Sequence, residues 1–134
     1  MAQTNLLSLD VGMKRIGMAV IDSDVRIARP LGWLEVDGSE IAEIVKACGL
    51  YQPSAIVVGY PRNQSGEPTQ QTRVVEEFCE RLKTAEVPPI VFQDESLTSV
   101  VAEEQLKAVK KPYNKGDIDA VAAALILTDY VESH

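Results

Sequence analysis

Three placements of acidic residues in this chain do not read as ordinary surface charge. Asp10 lies between Leu9 and Val11 inside a short apolar segment, Asn5 to Gly12, that reads as a strand; aspartate is depleted in strands and rarely buried without a partner. Asp94-Glu95 follows directly on Ile90-Val91-Phe92, and polar residues just past the carboxyl end of a strand are where sites form in α/β sheets. Asp119 falls near the start of a segment predicted helical from Asp117 to Val131. Helical spacing puts it on one face with Ala123, Ile126 and Tyr130, and Ile118, Val121, Ala122 and Leu125 make that helix apolar nearly all round until Thr128. Such a helix is buried. A carboxylate in it must be protonated, paired or metal-bound, because burying a bare charge costs roughly several kcal/mol.

Each acid alone has a plainer explanation. Asp10 fits a strand-end aspartate bonded to a turn, Asp94-Glu95 a pair at a helix start that complements the dipole, and Asp119 a wet first-turn residue. Asp117 reads as the N-cap of that helix, which leaves Asp119 unexplained by capping. Together they set carboxylates in an early strand, after a later strand and at the start of a final buried helix. Carboxylates that converge repel one another, and a hard divalent cation is the usual resolution. Mg²⁺ or Mn²⁺, as two ions, takes oxygen ligands and suits phosphodiester hydrolysis. A Ser-His-Asp arrangement is excluded, since the one histidine is His134.

The elements that must position these acids follow from hydrophobic periodicity. Leu7, Leu9 and Val11 alternate with Ser8 and Asp10. Ile16 to Ile21 follows after Met13-Lys14-Arg15, a spacing that predicts a hairpin with Gly12 supplying the turn. Leu31 to Val36 reads as a third strand. Asp37 with Glu40 resembles a capping box, followed by Ile41, Ile44, Val45 and Cys48 at helical spacing, with Gly49 as the stop. Ala55 to Val58 is a fully apolar strand of the parallel-sheet kind. A helix from about Pro68 to Lys83, a fifth strand at Ile90 to Phe92 and a helix capped by Thr98 complete the pattern. Three antiparallel strands followed by alternating helix and strand predict an α/β fold. Its mixed five-stranded sheet would run antiparallel, then parallel, with helices on both faces.

The 134 residues suffice for one domain, residues 1–134, with one core. Hydrophobic residues at 46% and charged residues at 25% argue against disorder. No apolar run approaches the ~18 residues of a membrane span, so no membrane partner is expected. Met1 to Leu9 lacks a basic flank and a cleavage site, which predicts a cytoplasmic protein. Cys48 and Cys79 read as reduced, partly buried thiols. The net charge of −7 counts against tight non-specific DNA binding, although the local field around a site decides more than the sum.

At this level the residues resemble the YqgF/RuvX family. Leu9-Asp10-Val11-Gly12, Lys14-Arg15-Ile16-Gly17 and Ala19-Val20 resemble its opening motif. Arg29-Pro30-Leu31 fits as well, as do Val57-Val58-Gly59 with Pro61, Asn63 and Gly66. Asp94-Glu95 with Leu97-Thr98 fits its D-E-R-L-T-T signature, and Lys115-Gly116, Asp119, Ala122-Ala123 and Ile126-Leu127 fit its closing helix. The resemblance implies an RNase H-like domain with a catalytic, metal-holding triad of Asp10, Glu95 and Asp119. It further implies a nuclease acting in 5′ maturation of pre-16S rRNA or, by older naming, at Holliday junctions. Implied partners are pre-rRNA or structured DNA and ribosomal precursor particles. A monomer is favoured over a dimer. Two departures, Ser96 for the usual Arg and Met13 for the usual Thr, bear on affinity or substrate choice and leave the acids intact.

Substrate would be held by basic residues near the acids: Lys14 and Arg15 in the first hairpin, Arg62 after the fourth strand, and Lys110, Lys111 and Lys115 before the last helix. Tyr60 and Tyr113 lie among them, ready to stack on unpaired bases. Two rival readings remain. A phosphotransferase of the actin-like superfamily would pair two such domains over ATP, and this chain has room for one and no P-loop signature. A non-enzymatic ribosome- or nucleic-acid-binding protein would keep the fold without turnover.

Overall fold

The computed structural model describes residues 5–22, 24, 26–61, 69–95, 98–109 and 112–133, with residues 95 and 98–100 through their backbone. Within these residues five strands, β1 (Asn5–Val11), β2 (Arg15–Asp22), β3 (Arg29–Glu35), β4 (Ala55–Pro61) and β5 (Ile90–Glu95), form one sheet in the order β3-β2-β1-β4-β5. β1, β2 and β3 pair antiparallel, while β1–β4 and β4–β5 are parallel. This is the mixed sheet that the alternation predicts. Gly12 closes the β1–β2 hairpin by closeness: its N–H donates to the Arg15 carbonyl at 3.0 Å, and a Cβ there would come within 2.9 Å of the same oxygen. In β3, Leu31 is skipped between the pairs Met18–Gly32 and Ala19–Pro30, a bulge at which Gly32 takes φ +121°.

Among the described residues, four helices, α1 (Glu40–Tyr51), α2 (Gln70–Leu82), α3 (Thr98–Val109) and α4 (Lys115–Ser133), cover the sheet. Leu7, Leu9 and Val11 point to one side, where with Ile16, Ile56 and Val58 they meet Ile44 of α1 and Val75, Phe78 and Leu82 of α2. The alternate residues of β1 point to the other side. There Ile21 and Val57 meet Ile126 and Leu127 of α4, and Ala19 meets Ala123 and Ala124. α3 packs on α4. No helix among the described residues is long and apolar enough to cross a membrane, and Cys48 and Cys79 are buried free thiols.

Several boundaries differ from expectation. α1 does not stop at Gly49. It runs to Tyr51 and ends where Gln52 turns left-handed, φ 49°. Its N-cap is Ser39, whose N–H and hydroxyl both donate to the Asp37 carboxylate, while the Glu40 carboxylate accepts from Gly38 N–H. Those bonds from Ser39 hold the Asp37 carboxyl below its ordinary pKa. β5 continues through Asp94 and Glu95, because pairing with Tyr60 and Pro61 of β4 persists beyond the apolar run. α4 begins at Lys115, and its cap is Asn114, not Asp117. Asp117 N–H donates to the Asn114 side chain, and Asn114 N–H donates back to the Asp117 carboxylate, both at 3.0 Å.

Candidate active site

The site is built by laying α4 directly on the first hairpin. Gly17 of β2 is the antiparallel register partner of Asp10, so the two residues share a face. A Cβ added at Gly17 would overlap the backbone carbonyl of Asp119. One step along the same face, the fully buried Ser8 hydroxyl donates to the Ala123 carbonyl at 2.7 Å. Ser8 to Asp10 advances ~6.8 Å along a strand, and Ala123 back to Asp119 is ~6 Å along a helix. The two steps match, so the turn of α4 carrying Asp119 lies over the part of the hairpin carrying Asp10. Gly116 repeats the device one turn earlier: a Cβ there would overlap the ring of Trp33 on β3. Both glycines let the helix approach the sheet closely, setting the backbone of Asp119 against β2.

Asp119 is half-buried, and its Oδ2 accepts from Arg15 Nε at 2.7 Å. The pair is 28% and 21% exposed at its two side chains, so it is only partly screened by water. Arg15 is therefore held by one of the predicted acids, where the sequence suggested a phosphate contact. The backbone of Glu95 closes β5 opposite Pro61. Its side chain lies outside the described residues. Among the described residues, no group of three or more His, Cys, Asp or Glu could hold an ion. Asp10 and the turn of α4 carrying Asp119 thus lie on one face of the hairpin, and carboxylate is the donor type that suits Mg²⁺ or Mn²⁺.

Two contacts that nothing in the sequence announces fix the end of β1, which bears Asp10, and the end of β4, which pairs with Glu95. The Gln71 amide donates to the Val11 carbonyl at 2.6 Å, next to Asp10, and the buried Thr72 hydroxyl donates to the Pro61 carbonyl at 2.6 Å, opposite Glu95. Thr69 and Thr72 form a reciprocal capping box that starts α2 beside those strands. The T-x-x-T pattern at 69–72 was the one available signal, weakened by a threonine where the box favours Glu or Gln.

The predicted substrate contacts divide. Lys14 is exposed in the hairpin turn and Lys115 is exposed at the start of α4, with Tyr113 half-buried two residues before it. Arg62, Lys110 and Lys111 lie outside the described residues. Tyr60 belongs elsewhere: its side chain packs with the α1–α2 cluster, on the opposite face from Gly17, and its ring meets Phe92 with centroids 4.9 Å apart.

A mixed sheet in this order, with a closing helix that delivers an acid onto the first hairpin, is the architecture of the RNase H-like fold. Two solved structures share that architecture: Thermus thermophilus RuvC in complex with a Holliday junction, TM-score 0.59 at 17% identity, covering 97% of this chain and 96% of that one, and the fowlpox virus Holliday junction resolvase, TM-score 0.55 at 12% identity, covering 98% and 100%. The particular family is set by sequence. The family model described as "RuvX: Holliday junction resolvase" matches residues 4–133, and the chain belongs to that family. Among its relatives, a protein of Chloroflexus aurantiacus named "Putative pre-16S rRNA nuclease" is 42% identical over 132 residues, covering 96% of this chain and 86% of the relative. One of the same name from Thiobacillus denitrificans is 36% identical over 138 residues, covering 98% and 95%.

Proposed function

We propose that this nuclease is divalent-cation-dependent and cleaves phosphodiester bonds in the 5′ maturation of pre-16S rRNA, with Asp10, Glu95 and Asp119 as the ligands of Mg²⁺ or Mn²⁺. The observation that carries the reading is the seating of α4 on Gly17, which brings Asp119 to the face of Asp10. When bound, the ions supply an activated water and stabilise the leaving oxygen. The chain's own residues do the rest. Asp10 and Asp119 present oxygens from a strand and a helix held rigid by the Ser8 and Gly17 contacts, and Gln71 and Thr72 fix the ends of the neighbouring strands. Lys14 and Lys115, joined by Arg62, steer and hold the phosphate backbone, while Tyr113 offers a ring to an unpaired base. The protein acts as a cytoplasmic monomer, in keeping with its buried free thiols, on rRNA alone or within a precursor particle.

A second reading uses the same site on a four-way DNA junction, and the family description favours it. Cleavage of precursor rRNA, single-stranded DNA and a four-way junction, measured side by side in Mg²⁺, Mn²⁺ and EDTA, decides between them. Asp10→Asn and Asp119→Asn are each expected to reduce cleavage of the true substrate by about 10³-fold or more. Turnover that survives either substitution, or survives EDTA, removes the metal mechanism. Preference for the junction moves the substrate from RNA to DNA.

A further inference from the structure

We infer that Arg15 is a built-in counter-cation for Asp119: its guanidinium holds the carboxylate when no metal is present, so a divalent ion reaching Asp119 does so in competition with it. The inference rests on the reading of Asp119 as a metal ligand and says how that ligand is kept before the ion arrives.

Both ends of the pair are fixed by independent parts of the fold. Arg15 is the first residue of β2, its carbonyl tied to Gly12 N–H across the hairpin and its backbone paired with Glu35 of β3. Asp119 is fixed by the close seating of α4 on Gly17, two residues further along β2. The side chains span the gap with one charge-assisted bond of 2.7 Å, in a setting about three-quarters withdrawn from water. Such a bond is shorter and stronger than a neutral one, and partial desolvation keeps it from being screened away as an exposed pair would be. Asp10 lies on the same face. Carboxylates on one face repel one another, and a fixed guanidinium offsets part of that repulsion in the metal-free protein. Once the guanidinium is seated, however, an incoming divalent ion meets a carboxylate whose charge is already shared and a positive group beside it. By linkage, whatever Arg15 contributes to the metal-free fold is withheld from metal binding.

The alternative role for Arg15 is a direct phosphate contact, and the two roles predict different responses. Mg²⁺ binding to Arg15→Gln, Arg15→Lys and the unsubstituted protein is measured by calorimetry, with thermal melts in EDTA and in Mg²⁺ and with RNA affinity followed across a salt series. The expected result is roughly fivefold tighter Mg²⁺ binding by Arg15→Gln. It should also show a lower melting temperature in EDTA, a larger rise on adding Mg²⁺, and an unchanged salt slope for RNA binding. Arg15→Lys, which keeps the charge, should stay near the original Mg²⁺ affinity, and it serves as the test if Arg15→Gln does not fold. Mg²⁺ binding that is unchanged or weaker in Arg15→Gln, or tighter in Arg15→Lys by the same factor, overturns the inference. A salt slope that falls by about one does the same by giving Arg15 to the phosphates. Mg²⁺ affinity that is indifferent to Asp119→Asn overturns instead the metal reading on which the inference stands.

Discussion

Toward α1 and α2 the sheet presents Leu7, Leu9, Val11, Ile16, Ile56 and Val58, and the helices answer with Ile44, Val75, Phe78 and Leu82. Toward α4, around the acids, it presents Gly17 and Ala19 with Ser8 and Asp10, and the helix answers with Ala123, Ala124 and its own backbone. The first face is a jigsaw of branched and aromatic side chains, stabilised by the area it removes from water. The second gives up much of that area for closeness. With glycine and alanine at the contact, main-chain carbonyls of α4 come within reach of β1 and β2, so Ser8 can donate to a helix carbonyl and a two-bond carboxylate can meet a hairpin arginine. Farther along the same helix, where Ile126 and Leu127 meet Ile21 and Val57, ordinary bulky packing returns. The fold reserves its small residues for the end of α4 that carries Asp119.

Adding one methyl group is therefore the sharpest way to break the comparison. Gly17→Ala drives a Cβ into the Asp119 carbonyl, backbone against backbone, which no rotamer change can relieve. The expected cost is about 3 kcal/mol, the upper range for overpacking, read as a shift in urea midpoint. Cleavage per folded molecule should fall further still, because α4 must lift from the face of Asp10. Full specific activity in a folded Gly17→Ala protein would show that the close seating is dispensable. The converse change on the opposite face removes a methyl group. Ile44→Val, at a fully buried position in α1, is expected to cost about 1 kcal/mol and to leave both cleavage and Mg²⁺ affinity as they were. Equal loss of cleavage in the two variants would mean that the faces are not functionally distinct.

What the sequence revealed follows from which signals are local. The alternation of Leu7, Leu9 and Val11 with Ser8 and Asp10 is local, and it predicts both the strand and the face of the acid. The all-round apolarity of α4 is local too, and it marks Asp119 as unusual. The seating of Gly17 on Asp119 joins residues a hundred positions apart, and nothing near Gly17 says which backbone will approach it. The same distance hid the Arg15–Asp119 pair, so Arg15 read as one more loop cation. Gly49 misled as a helix stop because glycine is the commonest residue past a helix end. The actual stop is Gln52, left-handed before Pro53, a residue that cannot continue a helix. Asp117 reads as a cap because Asn114, three residues earlier, sits in a loop that reads as basic; the reciprocal bonds show that Asp117 is the third residue of the helix and closes the box instead.

The smallest expected effect tests how dry the α1–α2 face is. Cys79 lies in its core, 2% exposed, and burial there pushes its thiol from 9.0 up to about 11, with Lys83 opposing and Glu80 and Glu76 assisting. The folded state thus resists forming a thiolate that the unfolded chain forms near pH 9.0. Below that pH both states hold the proton, and the group lends full stability. Between pH 9.0 and about 11 only the unfolded state releases it, so stability must fall as pH rises through this window. Cys79→Ala isolates the contribution of this thiol. Urea midpoints at pH 8 and pH 10.5 should fall further for the unsubstituted protein than for Cys79→Ala. An equal fall in both would mean that water reaches the thiol between α2 and the sheet. The contrast between a dry, side-chain-packed face and a close-seated polar one would then have to be redrawn.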